Sequence, residues 1–196
     1  MRRLPLVAAA LFALVAPALA GSPLDELKRS FTLDGKPIPP EIFRDMGDAD
    51  LADSEPVLVT VDARAAIGSN RYGDPIVRRA GWIAQSHPAD KTLAGVEETG
   101  YRFIGATKSG LLVVIAYYSG GGSGAFNTLH VLEAKLARAF DSDGKVYERV
   151  CLTMLRSVVL GDRWDGEATI AGDSIRIATK KTPAPAVPSE IEAARP

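Results

Sequence analysis

Residues 128–140 read TLHVLEAKLARAF, and whether this stretch is helix or strand decides the fold. Leu129, Leu132, Leu136 and Phe140 recur at helical spacing, the intervening Glu, Ala, Lys and Arg are good helix formers, and Asn127 or Thr128 would cap the start. The same residues also alternate, with Leu132, Ala134, Leu136 and Phe140 on one side of a strand. Asp141-Ser142-Asp143-Gly144 then turns the chain into a second long strand over residues 146–160. We prefer the strand because both neighbouring segments read as β and an antiparallel meander needs no crossover. A helix at 128–140 is the alternative.

Working outward, YRFIGA at 101–106 and LLVVIAYY at 111–118 flank Lys108-Ser109-Gly110 and read as a hairpin. ATIA at 168–171 and SIRIA at 174–178 flank Gly172-Asp173, a two-residue hairpin signal. VLVTV at 57–61 has the β-branched composition of a half-buried strand, and residues 81–85 make a weaker one carrying Trp82. Residues 86–100 read as a surface excursion and 68–75, GSNRYGDP, as a long loop. Upstream, residues 24–30 suit a short amphipathic helix, Asp34-Gly35-Lys36-Pro37 a turn, and 41–46 a helical turn after Pro39-Pro40. The expected fold is mainly β: an antiparallel meander forming an open barrel or sandwich, with short N-terminal helical turns.

The N-terminus supplies an address. MRRLPLVAAALFALVAPALA, residues 1–20, has two arginines, an apolar stretch, a proline break and Ala18-Leu19-Ala20, the layout of a Sec signal cleaved after Ala20. The apolar stretch is short for a span of about 20 residues, so an uncleaved anchor is disfavoured. With no cysteine after Ala20 the lipoprotein route is closed, and the layout points to a bacterial periplasm or the medium. The expected organisation is a signal at 1–20, an N-terminal wrap lying over the domain at 21–55, a β-domain at 56–181, and a disordered Pro- and Ala-rich tail at 182–196.

Composition narrows the classes of function. There are 23 Lys and Arg against 24 Asp and Glu, and the leader removes two arginines and no acid, so the exported portion is mildly acidic. That balance gives no electrostatic footprint for nucleic acid or an anionic membrane. Nothing after the leader is long enough for a helical span. Cys151 is the single cysteine, flanked by Val150 and Leu152, and reads as a buried small hydrophobe.

Three features are candidates for a ligand site: Asn70-Arg71-Tyr72, the glycine-rich run 119–124 with Gly121 and Gly122 at its centre, and Arg163-Trp164. Arginine beside an aromatic ring in a loop offers a planar cation for carboxylate or phosphate and a ring for sugars or apolar groups. The glycine-rich run permits close backbone approach, but no Gly-Lys-Ser/Thr follows and Ala125 breaks the nucleophile-elbow pattern after Ser123. Asp45, Asp48, Asp50, Asp53 and Glu55 lack calcium-loop spacing and read as a solvated acidic loop. His87 and His130, the two histidines, have no zinc-ligand partner nearby, so no metal or cofactor is expected.

These observations favour an exported, non-catalytic module binding a small ligand or an envelope protein. A secreted hydrolase using His130 or His87 as base and a loop serine as nucleophile is the competing class. A third is an assembly component acting through a strand edge or the Pro-rich tail.

Overall fold

The segment 128–140 is extended, and both sides of its first half, over residues 129–134, pack into apolar cores. The computed structural model of the protein describes residues 21–46, 59–68, 72–87, 96–179 and 188–193; the leader, Asn70, Arg71, most of the acidic cluster and the His87 side chain lie outside them.

In chain order, α1 (Pro23–Ser30) starts at Ser22, whose hydroxyl accepts the Asp25 N–H at 3.2 Å. It ends on Phe31, a non-glycine residue in the left-handed region with φ 52°. That conformation is held because the Phe31 ring is buried against Phe43, Tyr101 and Phe103, with centroids 6.3, 5.2 and 5.5 Å away. Next come the two-residue strands β1 (Thr32–Leu33) and β2 (Lys36–Pro37). Glu26 closes their turn, its carboxylate accepting the N–H groups of Asp34 at 2.9 Å and Gly35 at 2.8 Å and the Thr32 hydroxyl at 2.7 Å. Those bonds, the Thr32 hydroxyl foremost, hold its carboxyl below the usual range. Then follow α2 (Ile42–Asp45), β3 (Thr60–Asp62) and α3 (Ala63–Gly68).

From there β4 (Ile76–Arg79), β5 (Trp82–His87), β6 (Glu97–Ala106), β7 (Leu112–Gly120), β8 (Phe126–Phe140) and β9 (Val146–Asp162) run as an antiparallel meander. With β3 beside β9 they form an open seven-stranded sheet, ordered β3-β9-β8-β7-β6-β5-β4. Finally β10 (Glu167–Ala171), β11 (Ser174–Ala178) and β12 (Glu190–Glu192) form a three-stranded sheet. The helical alternative for 128–140 therefore falls, and of barrel or sandwich neither sheet closes into a barrel.

The large sheet has an apolar layer on each face. Leu112, Val114, Ala116 and Leu132 point toward the helices, joining Leu27, Phe31, Leu33, Ile42 and Met46. Leu111, Val113, Ile115, Leu129 and Val131 point the other way, onto Ile175, Ile177 and Ile191 of the small sheet. This is why a helix fails here: Leu129 and Val131 serve one core and Leu132 and Ala134 the other, a period of two rather than 3.6.

Three expectations are revised. The N-terminal wrap does not merely lie over the domain; its side chains are half of one core. The excursion at 86–100 is shorter than expected, since Ser86 and His87 belong to β5 and residues 97–100 to β6. Within the Pro-rich tail, β12 pairs with β11 and buries Ile191, because alternation in Glu-Ile-Glu suits an edge strand. Cys151 is buried, as its neighbours implied.

Candidate functional site

On the helix face, beside α2, a cleft of about 530 Å³ opens onto the large sheet. Register explains why space exists there. Tyr101, Ala116, Thr128 and Val159 are successive cross-strand partners across β6–β9, while Thr99, Tyr118 and Phe126 make the next row outward. Ala116, Thr99 and Thr128 are small, so the rows that carry bulky side chains deeper in the core leave a hollow here. Phe43 and Arg44 of α2 form one wall, and Tyr118, Phe126 and Val159 the other.

The polar groups of the cleft are few and placed. Thr99 is buried, and its hydroxyl has no hydrogen-bond partner among the described residues. Arg44 at the rim lies over the Tyr118 ring, 5.5 Å from its centroid, and pairs with Glu97 at 3.5 Å. At the inner end His130 stacks under Phe43, with centroids 5.2 Å apart and planes 15° apart. Its Nδ1 lies 2.8 Å from the Ser157 hydroxyl, which also contacts the Met154 sulfur at 3.0 Å. Burial lowers the His130 pKa to about 4, so the ring is neutral at physiological pH.

A Ser157–His130 pair thus exists, but the parts that would activate it are missing among the described residues. The histidine acquires its shifted pKa from desolvation alone, with no carboxylate to orient it or to stabilise an imidazolium. When Ser157 donates to the Met154 sulfur, the Nδ1 must carry the proton and donate to Ser157, which is the wrong tautomer for a base. Among the described residues no group of three His, Cys, Asp or Glu side chains is placed to hold a metal ion.

The residues singled out in the sequence are dispersed. Tyr72 lines a separate open groove of about 570 Å³ with Lys36, Pro37 and Arg78. Its loop is pinned by buried Gln85, whose amide N–H groups donate to the carbonyls of Tyr72 at 3.2 Å and Asp74 at 2.8 Å. Gly121 and Gly122 sit in the β7–β8 connection; Gly121 has φ 84°, and neither lines the cleft. The same connection nevertheless joins two residues that line the cleft, Tyr118 and Phe126. Arg163 has φ 47° and pairs with its neighbour Asp162 at 3.0 Å. Trp164 packs inward against the small-sheet core, on the opposite face from His130, with its ring crowding Gly166.

Sequence reasoning missed Phe43, Arg44, Thr99, Tyr118, Phe126 and Thr128. The available signal was positional: once β6, β7 and β8 are paired, Thr99, Tyr118 and Phe126 fall side by side. No family model matches this chain, and no curated protein or solved structure matches it either.

Proposed function

We propose that this is a non-catalytic binding domain whose cleft between α2 and the sheet holds a small amphipathic ligand. The observation that carries the reading is a concave site with aromatic and aliphatic walls and a buried hydroxyl on Thr99 with no partner among the described residues. A ligand polar group that bonds Thr99 would satisfy it, and the neutral His130 ring favours an uncharged group at that depth. The Arg44 guanidinium at the rim suits an anionic or carbonyl end reaching solvent. The leader-like residues 1–20 support action outside the cytosol, in the periplasm or the medium.

The test is titration of the purified protein with anilinonaphthalene sulfonate, an aromatic anion, followed by fluorescence. Saturable binding at one site is expected, with loss of at least about tenfold in affinity in Thr128→Phe, which adds bulk to the hollow. Equal binding by that variant, with unchanged circular dichroism, refutes the assignment. The second reading, hydrolysis by Ser157 and His130, is favoured by their contact alone. It requires Ser157→Ala to abolish turnover of a p-nitrophenyl ester, and we expect no turnover to abolish.

A further inference from the structure

The β8–β9 hairpin outgrows the sheet that supports it. Strand β7 pairs with β8 only as far as Leu132, and β3 pairs with β9 only over Cys151, Leu152 and Thr153. Residues 133–140 of β8 and 146–150 of β9 therefore have each other and no further strand among the described residues. A two-stranded ribbon is marginal by itself in water, and its free edge is a template for another strand. This ribbon is also apolar where it should be polar: Phe140 is 73% exposed, Val146 59%, Leu136 39% and Tyr147 37%.

We propose that the free edge of β8 pairs antiparallel with the same edge of a second copy of this chain, about a two-fold axis through Arg138. Such an axis stands perpendicular to the joined sheet and keeps each face on its own side. Centred on Arg138, the register sets Leu136 of one copy against Phe140 of the other, twice over. It also brings Lys135 beside Asp141 and Ala137 beside Ala139. Moving the centre to Ala137 puts Leu136 against Arg138, and moving it to Ala139 puts Phe140 there, so of the three registers the one centred on Arg138 matches the apolar residues. In it Lys135, which pairs with Glu133 at 2.6 Å in its own chain, also reaches Asp141 of the other copy. The two Arg138 side chains meet at the axis, each with Glu148 as its cross-strand neighbour within its own ribbon.

Charge supports a second copy as the occupant. Over residues 133–150, Glu133, Asp141, Asp143 and Glu148 balance Lys135, Arg138, Lys145 and Arg149. Such a ribbon neither repels its copy nor attracts a polyanion or an anionic bilayer. Asp141 also keeps a carboxylate oxygen for Lys135 of the other copy, since Oδ1 accepts both turn N–H groups, from Asp143 at 2.9 Å and Lys145 at 2.8 Å. The contact is small beside the standard interface of about 1,600 Å².

Sedimentation of the purified protein from about 10 to about 500 µM is the first experiment, a range suited to a weak dimer. The mass is expected to rise toward that of a dimer, and Phe140→Lys is expected to remain monomeric with unchanged circular dichroism. Arg138→Cys supplies the specific readout, because directly opposed residues of an antiparallel pair lie about 4.5–5.5 Å apart at Cα, within disulfide range. Under mild oxidation it should give a covalent dimer, while Ser142→Cys at the exposed tip should not. A monomer throughout the range, a Phe140→Lys dimer, or equal cross-linking of the two cysteine variants overturns the proposal.

Discussion

Acidification should destabilise this protein well before its carboxylates titrate, because of His130. In the folded chain its pKa is lowered from 6.5 to about 4 by burial under Phe43. Above pH 6.5 the ring is neutral folded or unfolded, and the full stability is present. As pH falls below 6.5 the unfolded chain takes up a proton that the folded chain refuses until pH 4, so stability drops across that window. At ~1.4 kcal/mol per pH unit the loss is about 2.5 kcal/mol by pH 4.5 and approaches about 3.4 kcal/mol below pH 4. Glu26, Asp162 and Asp173 have lowered pKa values, so their contributions hold above pH 5 and fade only at lower pH. The assay is urea unfolding at half-unit steps from pH 7.5 to 4.5, on the wild type and on His130→Leu, which keeps the bulk and removes the proton site. The difference between the two curves should slope by about 1.2 kcal/mol per pH unit between pH 6 and 4.5. Parallel curves would refute the reasoning, since they would place the histidine in contact with solvent or with a compensating anion.

Two further substitutions probe the scaffold. Gly100→Ala would set a Cβ 2.3 Å from the Tyr117 ring, which lies over this glycine, donates to Glu98 and meets Trp82 edge-on at 5.1 Å. Displacing that ring should cost about 1–3 kcal/mol in urea unfolding, and a neutral result would mean the ring is not held. Gln85→Leu removes the amide that accepts the Glu41 N–H at 3.4 Å and donates to the Tyr72 and Asp74 carbonyls, tying α2 to the loop before β4. It should cost about 2–3 kcal/mol and increase hydrogen exchange in both segments, whereas an effect confined to one would argue against a shared pin.

The hairpins were legible because their information is local. Gly172-Asp173 and the alternation of Ile175 and Ile177 specify a turn and a half-buried strand without help from the rest of the chain. The segment 128–140 was harder, because Leu129, Leu132 and Leu136 satisfy two periods and only the presence of a second core selects one. The same missing knowledge hid the role of the N-terminal residues: Phe31, Ile38 and Phe43 look like scattered hydrophobics until a sheet face exists to receive them. The cleft was illegible for another reason. It arises from smallness at Thr99, Ala116 and Thr128, residues that attract no notice singly and define a volume only as cross-strand neighbours. Glycine-rich and arginine–aromatic loops drew attention by composition, yet Arg163 is paired with Asp162 and Trp164 is spent on packing.

The two-sided burial of β7 changes what keeps the sheet in register. In a sheet with one wet face, a slip by one residue is forbidden because it would turn apolar groups toward water. In β7 a slip would exchange Leu112 and Val114 for Leu111 and Val113, aliphatic for aliphatic, with no polarity penalty at all. Discrimination must come from shape: the bulge at Gly105 on one side, the two irregularities between β8 and β9 on the other, and the mismatch between Ala116 and Ile115. Errors in this chain are thus errors of volume, and the sites where evolution or design must be most conservative are its bulges and its smallest residues.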